Sequence, residues 1–261
     1  MLKMENNYWA ERSAAAAQRL TDLGIAATNK QLIKYYSYCQ KKIIREFESL
    51  YNELMAKKAA DEELTPADLY RLDKYWELQG QLTQELTKLG DRSAAILSKN
   101  FIEQYINTYN IVSLKGEATF ATIDLDAAAQ MVNSVWCADG KNWSQRLWTN
   151  TAKLQDTLNE QLVHCVITGK NTTQMKNLLQ TEFTVNYNQA DRLVRTEMSH
   201  IQNAAARQRY KDYGIKEYKV LADNCCSKCE HLKHEKYSID EIPPVPFHPR
   251  CRCCIIPIVD I

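Results

Sequence analysis

Cysteine and histidine residues near the carboxyl terminus have the types and spacing of a metal site. The sequence reads Cys226-Ser-Lys-Cys229, then eighteen residues, then His248-Pro-Arg-Cys251-Arg-Cys253. Zinc prefers four tetrahedral nitrogen or sulfur ligands, and a Cys-x2-Cys turn supplies two of them. We therefore predict a zinc ion held by Cys226, Cys229, His248 and either Cys251 or Cys253. Four protein ligands leave no position for a reactive water, so the predicted site is structural.

Other uses of these residues remain open. The tail cysteines could form disulfides, although nothing in the sequence indicates an oxidising compartment. A redox pair at Cys226 and Cys229 is another alternative, and His231 with His234 could complete a rival Cys2His2 set. That set ranks second because it leaves the second cysteine pair without a role. The remaining cysteines are interpreted as neighbours of the ligands (Cys225, Cys254) and as small core residues (Cys39, Cys137, Cys165).

The composition of the chain excludes several classes of protein. It has 261 residues, with 33 Lys+Arg against 32 Asp+Glu and a formal net charge of +1, which excludes a globally basic nucleic-acid binder. No apolar run approaches the roughly 18 residues of a membrane span, and the first residues lack the apolar core of a signal peptide. We therefore expect synthesis and retention in the cytosol, or export by an unusual route.

Glycine and proline are distributed unevenly and divide the chain into a body and a tail. All seven glycines precede residue 215, and five of the six prolines follow residue 242. A stretch from 223 to 254 is too short and polar to bury a core alone, so metal binding would supply much of its folding free energy.

The body is predicted to be helical because its apolar residues recur at intervals of three and four. One helix is expected over 28–57, beginning at Thr28 or Asn29. Another begins at Thr65-Pro66-Ala67-Asp68 and runs to Lys88, with Gly90 as its stop. The other predicted helices cover 91–109, 124–136, the stretch from Asn142 or Ser144 to Gly169, 173–184 and 187–213.

Two strands are predicted after Gly214, at 215–221 and 253–256, because apolar residues alternate or cluster there. The helical period is lost over 111–123, which marks a boundary. The fold class is therefore mainly α, a helical body with a small carboxy-terminal zinc-stabilised α+β module. The predicted domains are an amino-terminal helical region at 1–112, a linker and short helix at 113–141, and a domain at 142–261 whose metal-binding tail spans about 223–254.

Charged residues outside the predicted metal site are candidates for structural or binding roles. Glu197 lies on the apolar face of its helix, where a carboxylate needs a partner, so we predict a structural contact with Arg146 or Arg195. Basic residues before and within the tail could contact DNA or an acidic protein surface, although acidic neighbours are interspersed. They are Arg207, Arg209, Lys211, Lys216, Lys219, Arg250 and Arg252.

The tail and the helices before it resemble one protein family. The order of Asn142-Trp-Ser-Gln-Arg146, Gly169, Leu193-Val-Arg195-Thr196-Glu197, Tyr213-Gly214-Ile215 and the cysteine tail is similar to that of the phage Mu F-like minor head proteins, also called phage head morphogenesis proteins. The resemblance covers about 140–259. The sequence departs from the family pattern at Asn224-Cys225 and at Lys233-His234-Glu235, which bears on loop geometry and leaves the ligand set unchanged.

The resemblance implies a structural role in building the head of a tailed phage. Its members are minor components associated with the portal vertex, and some are linked to DNA packaging or delivery. The implied partners are therefore a phage portal protein, capsid subunits and phage DNA, and the implied location is the virion near the portal, with the host cytoplasm during assembly. Some members carry a toxin or nuclease domain after the tail, and we expect none here because the sequence ends at Ile261.

We predict no enzymatic activity, because the sequence lacks a phosphate-binding glycine loop, Gly-x-Ser-x-Gly and His-Glu-x2-His. Two alternatives from other classes stay open. One is a zinc-dependent nucleic-acid-processing enzyme such as an HNH-like nuclease, in which His231 or His234 would act. The other is a zinc-ribbon DNA-binding adaptor, which salt-dependent DNA affinity would distinguish.

Overall fold

The computed structural model describes residues 2–57, 65–113, 123–221, 227, 229–240 and 246–259. The expected mainly helical class is confirmed, with a small carboxy-terminal sheet. The helices in the described ranges are α1 (Leu2–Lys57), α2 (Pro66–Tyr70), α3 (Asp73–Ile111), α4 (Leu125–Val132), α5 (Trp143–Ile167) and α6 (Thr172–Asp212). The strands are β1 (Glu217–Leu221), β2 (Lys236–Ser238) and β3 (Cys254–Ile258), and a short 3-10 helix covers Glu230–His234.

Helix α1 begins far before the predicted start at Thr28. Alanines at positions 10, 14 and 17 are buried at helical spacing, so a face of small residues continues the helix toward the amino terminus. Thr28 is itself buried inside the helix and receives a hydrogen bond from the Asn100 amide, at 2.8 Å. The expected cap is therefore an interior polar contact.

The predicted stop at Gly90 is wrong. Helix α3 passes through Gly90, and a Cβ atom at this position would lie 2.5 Å from the Trp148 ring. The residue is glycine because an aromatic side chain lies against the backbone, which a helix interior tolerates at a cost. The predicted break between 184 and 187 is also wrong, since α6 is continuous there and contains no glycine or proline.

Other turn signals in the sequence are confirmed. The Asp68 carboxylate accepts hydrogen bonds from the backbone N–H and the hydroxyl of Thr65, at 2.9 and 2.6 Å, at the start of α2. Gly169 and Gly214 have φ values of 61° and 73° after α5 and α6. This left-handed conformation favours glycine at a helix end.

The three strands form an antiparallel sheet in the order β2-β1-β3. Tyr218 of β1 lies opposite Tyr237 on one side and Pro257 on the other. Strands β1 and β3 correspond to the two predicted strands, whereas β2 has only three residues and carries too little pattern to be predicted.

The described chain divides into two compact units. The first consists of Met1–Asn29, Ile96–Trp143 and Asp191–Ile261, and the second of Lys30–Ala95 and Ser144–Ala190. The core of the second unit contains the predicted apolar face of α1, including Leu32, Phe47 and Leu50. The sheet and the cysteine tail belong to the first unit. The predicted domain division at 112, 113–141 and 142 stays a prediction.

Within the described ranges, no helix combines the length and the apolar character that crossing a bilayer requires.

Candidate metal centre

Three cysteine sulfur atoms converge within the carboxy-terminal tail. The Sγ atoms of Cys229, Cys251 and Cys253 all lie within 4.8 Å of one another, and all three residues are buried. The distance between the Cys229 and Cys251 sulfurs is 3.8 Å. They share a core cluster with Tyr218 and Leu232, so the site lies inside the folded tail.

Local turns set the positions of two of these cysteines. Cys229 directly precedes the 3-10 helix, and its carbonyl accepts a hydrogen bond from the Leu232 N–H at 3.1 Å. The Cys251 N–H donates to the His248 carbonyl at 3.1 Å, which closes a turn through Pro249 and Arg250. Arg250 has a φ of 60°, a conformation that non-glycine residues rarely adopt. The Thr196 hydroxyl supports it by accepting a hydrogen bond from the Arg250 N–H at 3.1 Å.

The third cysteine is positioned by the amide of Asn203 on α6. The Asn203 Nδ2 donates to the Cys253 carbonyl, and its Oδ1 accepts from the Ile255 N–H, both at 3.0 Å. The Tyr210 hydroxyl donates to the Ile255 carbonyl at 3.3 Å. Side chains of α6 thus satisfy the main chain on one side of the strand that follows Cys253.

The thiols of Cys251 and Cys253 differ in pKa. A hydrogen bond from Cys253 lowers the pKa of the Cys251 thiol to about 5, and burial acts in the opposite direction. The same contact with Cys251 raises the pKa of Cys253, and burial adds to the increase. Thiolates bind metal, and a bound cation replaces the protons that such a cluster otherwise retains. The donor set is therefore chemically suited to a soft divalent cation.

The distance between two of the sulfur atoms also fits zinc. With zinc–sulfur bonds near 2.3 Å, the edge of a tetrahedron is about 3.8 Å. The observed separation of the Cys229 and Cys251 sulfurs has this value. Three cysteines that could hold a metal ion are thus preassembled, and one tetrahedral position is left to a fourth ligand.

The described group does not contain the other predicted ligands. Cys226 and its neighbour Cys225 lie outside the described residues. His248 is partly buried, its Nδ1 lies 3.0 Å from the Pro249 carbonyl oxygen, and it is not part of the three-cysteine group. For the rival set, His231 is exposed and outside the group, and the side chain of His234 lies outside the described part of the chain.

The described cysteines outside the predicted ligand set are buried or partly buried. Cys254 lies in a separate cluster with Ala14 and Ile256. Cys39 and Cys165 are buried, and Cys137 is partly buried. All seven described cysteines are free thiols, so none of them supports the disulfide alternative.

The predicted basic contact residues occupy different environments. The Arg207 guanidinium donates to the carbonyls of Ile239 and Asp240, at 2.8 and 3.1 Å. Arg209 is only 5% exposed, and its guanidinium lies 4.8 and 4.5 Å from the ring centres of Tyr109 and Tyr213. Both thus serve packing within the first unit.

The two tail arginines are exposed and pair with acids. Arg250 lies 3.0 Å from Asp191, and Arg252 lies 2.9 Å from Asp22. Of the predicted contact residues, these two project from the turn that carries Cys251.

Glu197 is buried, as expected from its position on the apolar face of α6. Its carboxylate accepts a hydrogen bond from the Trp136 indole at 2.9 Å, and the same indole stacks on His200 with the ring centres 4.1 Å apart. The contact of Glu197 with Arg146 or Arg195 stays a prediction. The Arg195 guanidinium itself pairs with Asp191 at 2.8 Å. The spacing of the two residues explains this, since positions four apart on a helix face each other.

Asn203 and Asp191 are positioning residues that were not predicted from the sequence. Asn203 is a buried polar residue beside the alanines at 204–206, which indicated a close approach of another element. A polar side chain at such a contact is a signal for main-chain capping. Asp191 carried no signal of a role at the tail, because its partners Asn29 and Arg250 come from distant parts of the sequence.

Comparison with known proteins identifies one family. Residues 156–256 match the family described as phage Mu protein F like protein. The matched range includes Cys229, His248, Cys251 and Cys253, and the resemblance expected from the sequence is confirmed over these residues. No curated protein and no solved structure matches the chain significantly.

Proposed function

From the match of residues 156–256 to the phage Mu F-like family, we propose that the protein is a structural minor head protein of a tailed phage. It acts in head morphogenesis at the portal vertex by binding portal and capsid subunits, and it contributes to DNA packaging or delivery. It resides in the virion near the portal and in the host cytoplasm during assembly. The family match is the observation that carries this proposal.

The proposed cofactor is a structural zinc ion in the tail. Cys229, Cys251 and Cys253 would supply three ligands, as their mutual distances support. Cys226 or His248 would supply the fourth, which revises the predicted set by including both Cys251 and Cys253. The ion would fasten the turn before the 3-10 helix to the start of β3.

The proposed role is non-catalytic. A metal with four protein ligands has no open position for a water, and a stabilising ion suits a protein that acts through its surfaces. The HNH-like nuclease and the zinc-ribbon adaptor are the alternatives against which this role is tested.

Co-expression with the portal protein of the same phage tests the proposal. The tagged chain should retain the portal protein through affinity and size-exclusion steps, with about one zinc per chain in the same sample. A folded chain that is free of metal would contradict the zinc site. Failure to retain portal protein, with zinc present, would contradict the portal role alone.

A nuclease assay separates the enzymatic alternative. Plasmid and linear DNA incubated with the purified protein and magnesium or zinc should remain intact. Metal-dependent cleavage that is lost in His231→Ala would replace the structural role with a catalytic one.

A further inference from the structure

A charged pocket lies beside the cysteine cluster, within the first unit. It has a volume of 290 Å³ and is lined by residues of α1, of α6 and of the turn at 250–252. Its charged residues are Arg195, Arg250, Arg252, Asp22 and Asp191. Three guanidinium groups against two carboxylates leave one positive charge in excess, which favours an anion over a cation.

A shared carboxylate holds two of the arginines side by side. The Asp191 Oδ2 lies 3.0 Å from the Arg195 Nε and 3.0 Å from an Arg250 terminal nitrogen. The Asn29 amide donates to the other oxygen of Asp191 at 2.6 Å. Asp191 is thus compensated by several donors, and its side chain is only 14% exposed.

The two arginines keep donors for a ligand. The contacts with Asp191 use one N–H of Arg195 and one of Arg250, whereas a guanidinium carries five. Both side chains are about half exposed, at 46% and 52%, so their other N–H groups are accessible. Planar donors of this kind match the oxygens of phosphate in a bidentate manner.

The third arginine can be released to a ligand. Arg252 pairs with Asp22 at 2.9 Å, and both side chains are about half exposed, at 50% and 45%. Exposed ion pairs are weak, so an entering dianion competes effectively for the guanidinium. Asp22 is then displaced into solvent without being buried.

We propose that this pocket binds a phosphate oxyanion, with Arg195 and Arg250 as its principal ligands and Arg252 as an additional one. The volume suits a phosphate group with its immediate substituents. Two sources supply this chemistry, the backbone of DNA and free phosphate. The DNA source rests on the proposed role in the phage head, whereas the pocket itself depends on the geometry alone.

Inorganic phosphate is the first probe. In isothermal titration against chloride of equal ionic strength, the wild-type chain should bind phosphate. The double substitution Arg195→Gln with Arg250→Gln should weaken binding by tenfold or more, on the order expected for charge-assisted hydrogen bonds. Arg192→Gln is the matched control, because it removes an exposed arginine of α6 that does not line the pocket. Its affinity should equal that of the wild type.

Two outcomes would overturn the proposal. One is the absence of phosphate binding by the folded wild-type chain, and the other is an equal loss in the pocket variant and the control. Circular dichroism verifies folding, and Arg250→Lys provides a milder variant that keeps the charge but removes the planar fork. An affinity between those of the wild type and the double variant is expected for it.

A short DNA duplex then identifies the source. If DNA supplies the phosphate, the duplex competes with inorganic phosphate and its affinity falls in the pocket variant but not in Arg192→Gln. If free phosphate is the ligand, the wild-type chain still binds phosphate but the duplex does not compete with it. The affinity for the duplex is then the same in the wild type and the pocket variant. The second result supports the pocket while contradicting the proposed DNA role there.

Discussion

The Asn203 side chain gives β3 and the cysteine before it the main-chain partners that another strand would otherwise provide. Its amide contacts the Cys253 carbonyl and the Ile255 N–H. Replacing it would leave both groups without these partners in a buried place. The position of Cys253 therefore depends on a residue fifty positions earlier in the sequence.

Asn203→Leu should lower the free energy of unfolding by about 1–3 kcal/mol, because buried polar groups lose their partners. It should also weaken zinc binding, since Cys253 is held less precisely. Urea denaturation and competition with a zinc chelator measure the two effects. Gln208→Leu, on the exposed side of the same helix, is the control and should change neither. A variant as stable as the wild type would contradict the positioning role.

Cys251→Ser should abolish or strongly reduce bound zinc, because the hydroxyl is a poor substitute for the thiolate. Metal analysis of the purified protein and the absorption of the cobalt-substituted form measure the loss. Cys137→Ser removes a partly buried cysteine outside the cluster and should retain full metal content. Equal metal content in both variants would exclude Cys251 as a ligand.

Among the individual residues, the three clustered cysteines could be predicted from the sequence, because the spacing of metal ligands is a local pattern. The roles of Asn203 and Asp191 could not, since they depend on α6 meeting the tail. The difference between Arg209, which is buried against tyrosines, and the exposed Arg250 was also hidden, because both belong to runs of similar charge.

Two glycines of α3 in the second unit differ in the space around them. Gly90 is buried against the Trp148 ring, whereas a Cβ atom at Gly80 would meet nothing within 4 Å. Both lie inside α3, so they share the same backbone cost relative to alanine.

Gly90→Ala should destabilise the protein by about 1–3 kcal/mol through overpacking against Trp148. Gly80→Ala should instead stabilise it by about 0.5–1 kcal/mol, because alanine favours the helix. Thermal and urea denaturation of the two variants provide the comparison. Stabilisation by both substitutions would mean that the Trp148 ring moves away freely.

A buried carboxylate pairs with one lysine of α1 and one of α3 in the second unit. The Glu85 carboxylate lies 2.9 Å from the ammonium groups of Lys42 and Lys88. Burial acts to raise the pKa of Glu85, but the hydrogen bonds from the two lysines outweigh it and leave the pKa below its ordinary value of 4.5.

A lowered pKa in the folded state means that the ionised Glu85 stabilises the fold above pH 4.5. That contribution should disappear as the pH falls through the lower folded-state value. Glu85→Gln should therefore be less stable than the wild type at pH 7, and the difference should narrow at acidic pH. Urea denaturation across this range tests it, with the exposed Glu103→Gln as control. A difference that does not depend on pH would contradict the ionic origin.

Among the elements, helical periodicity predicted the body, and alternation predicted β1 and β3. The predicted helix boundaries were wrong where tertiary contacts determine them. Gly90 resembles a stop until Trp148 is known to lie against it, and the small residues before Thr28 carry no strong apolar period. Strand β2 forms by pairing with the edge of β1. Its three residues are too few for a sequence pattern to predict a strand.

For the whole molecule, metal binding should contribute to the stability of the first unit. Chelation at neutral pH should lower the melting temperature, and at zinc concentrations a thousandfold above Kd the stabilisation corresponds to about 4 kcal/mol. Differential scanning calorimetry with and without chelator measures it. Re-addition of zinc should restore the original value, and magnesium should not. A melting temperature unaffected by chelation of the zinc-loaded protein would contradict the structural role of the metal.

The hydrogen-bonding groups on the outer edge of β3 determine whether a strand of a second chain could extend the sheet. Ile255 turns its N–H and C=O toward Asn203 and Tyr210, away from β1. Alternate residues of a strand face the same way, so Pro257 presents the same side and has no N–H to offer. A strand of a second chain would need free N–H and C=O groups along this edge of β3. The groups of Ile255 are already hydrogen-bonded, and Pro257 lacks an N–H. Pairing of a second chain with β3, edge to edge, is thereby disfavoured.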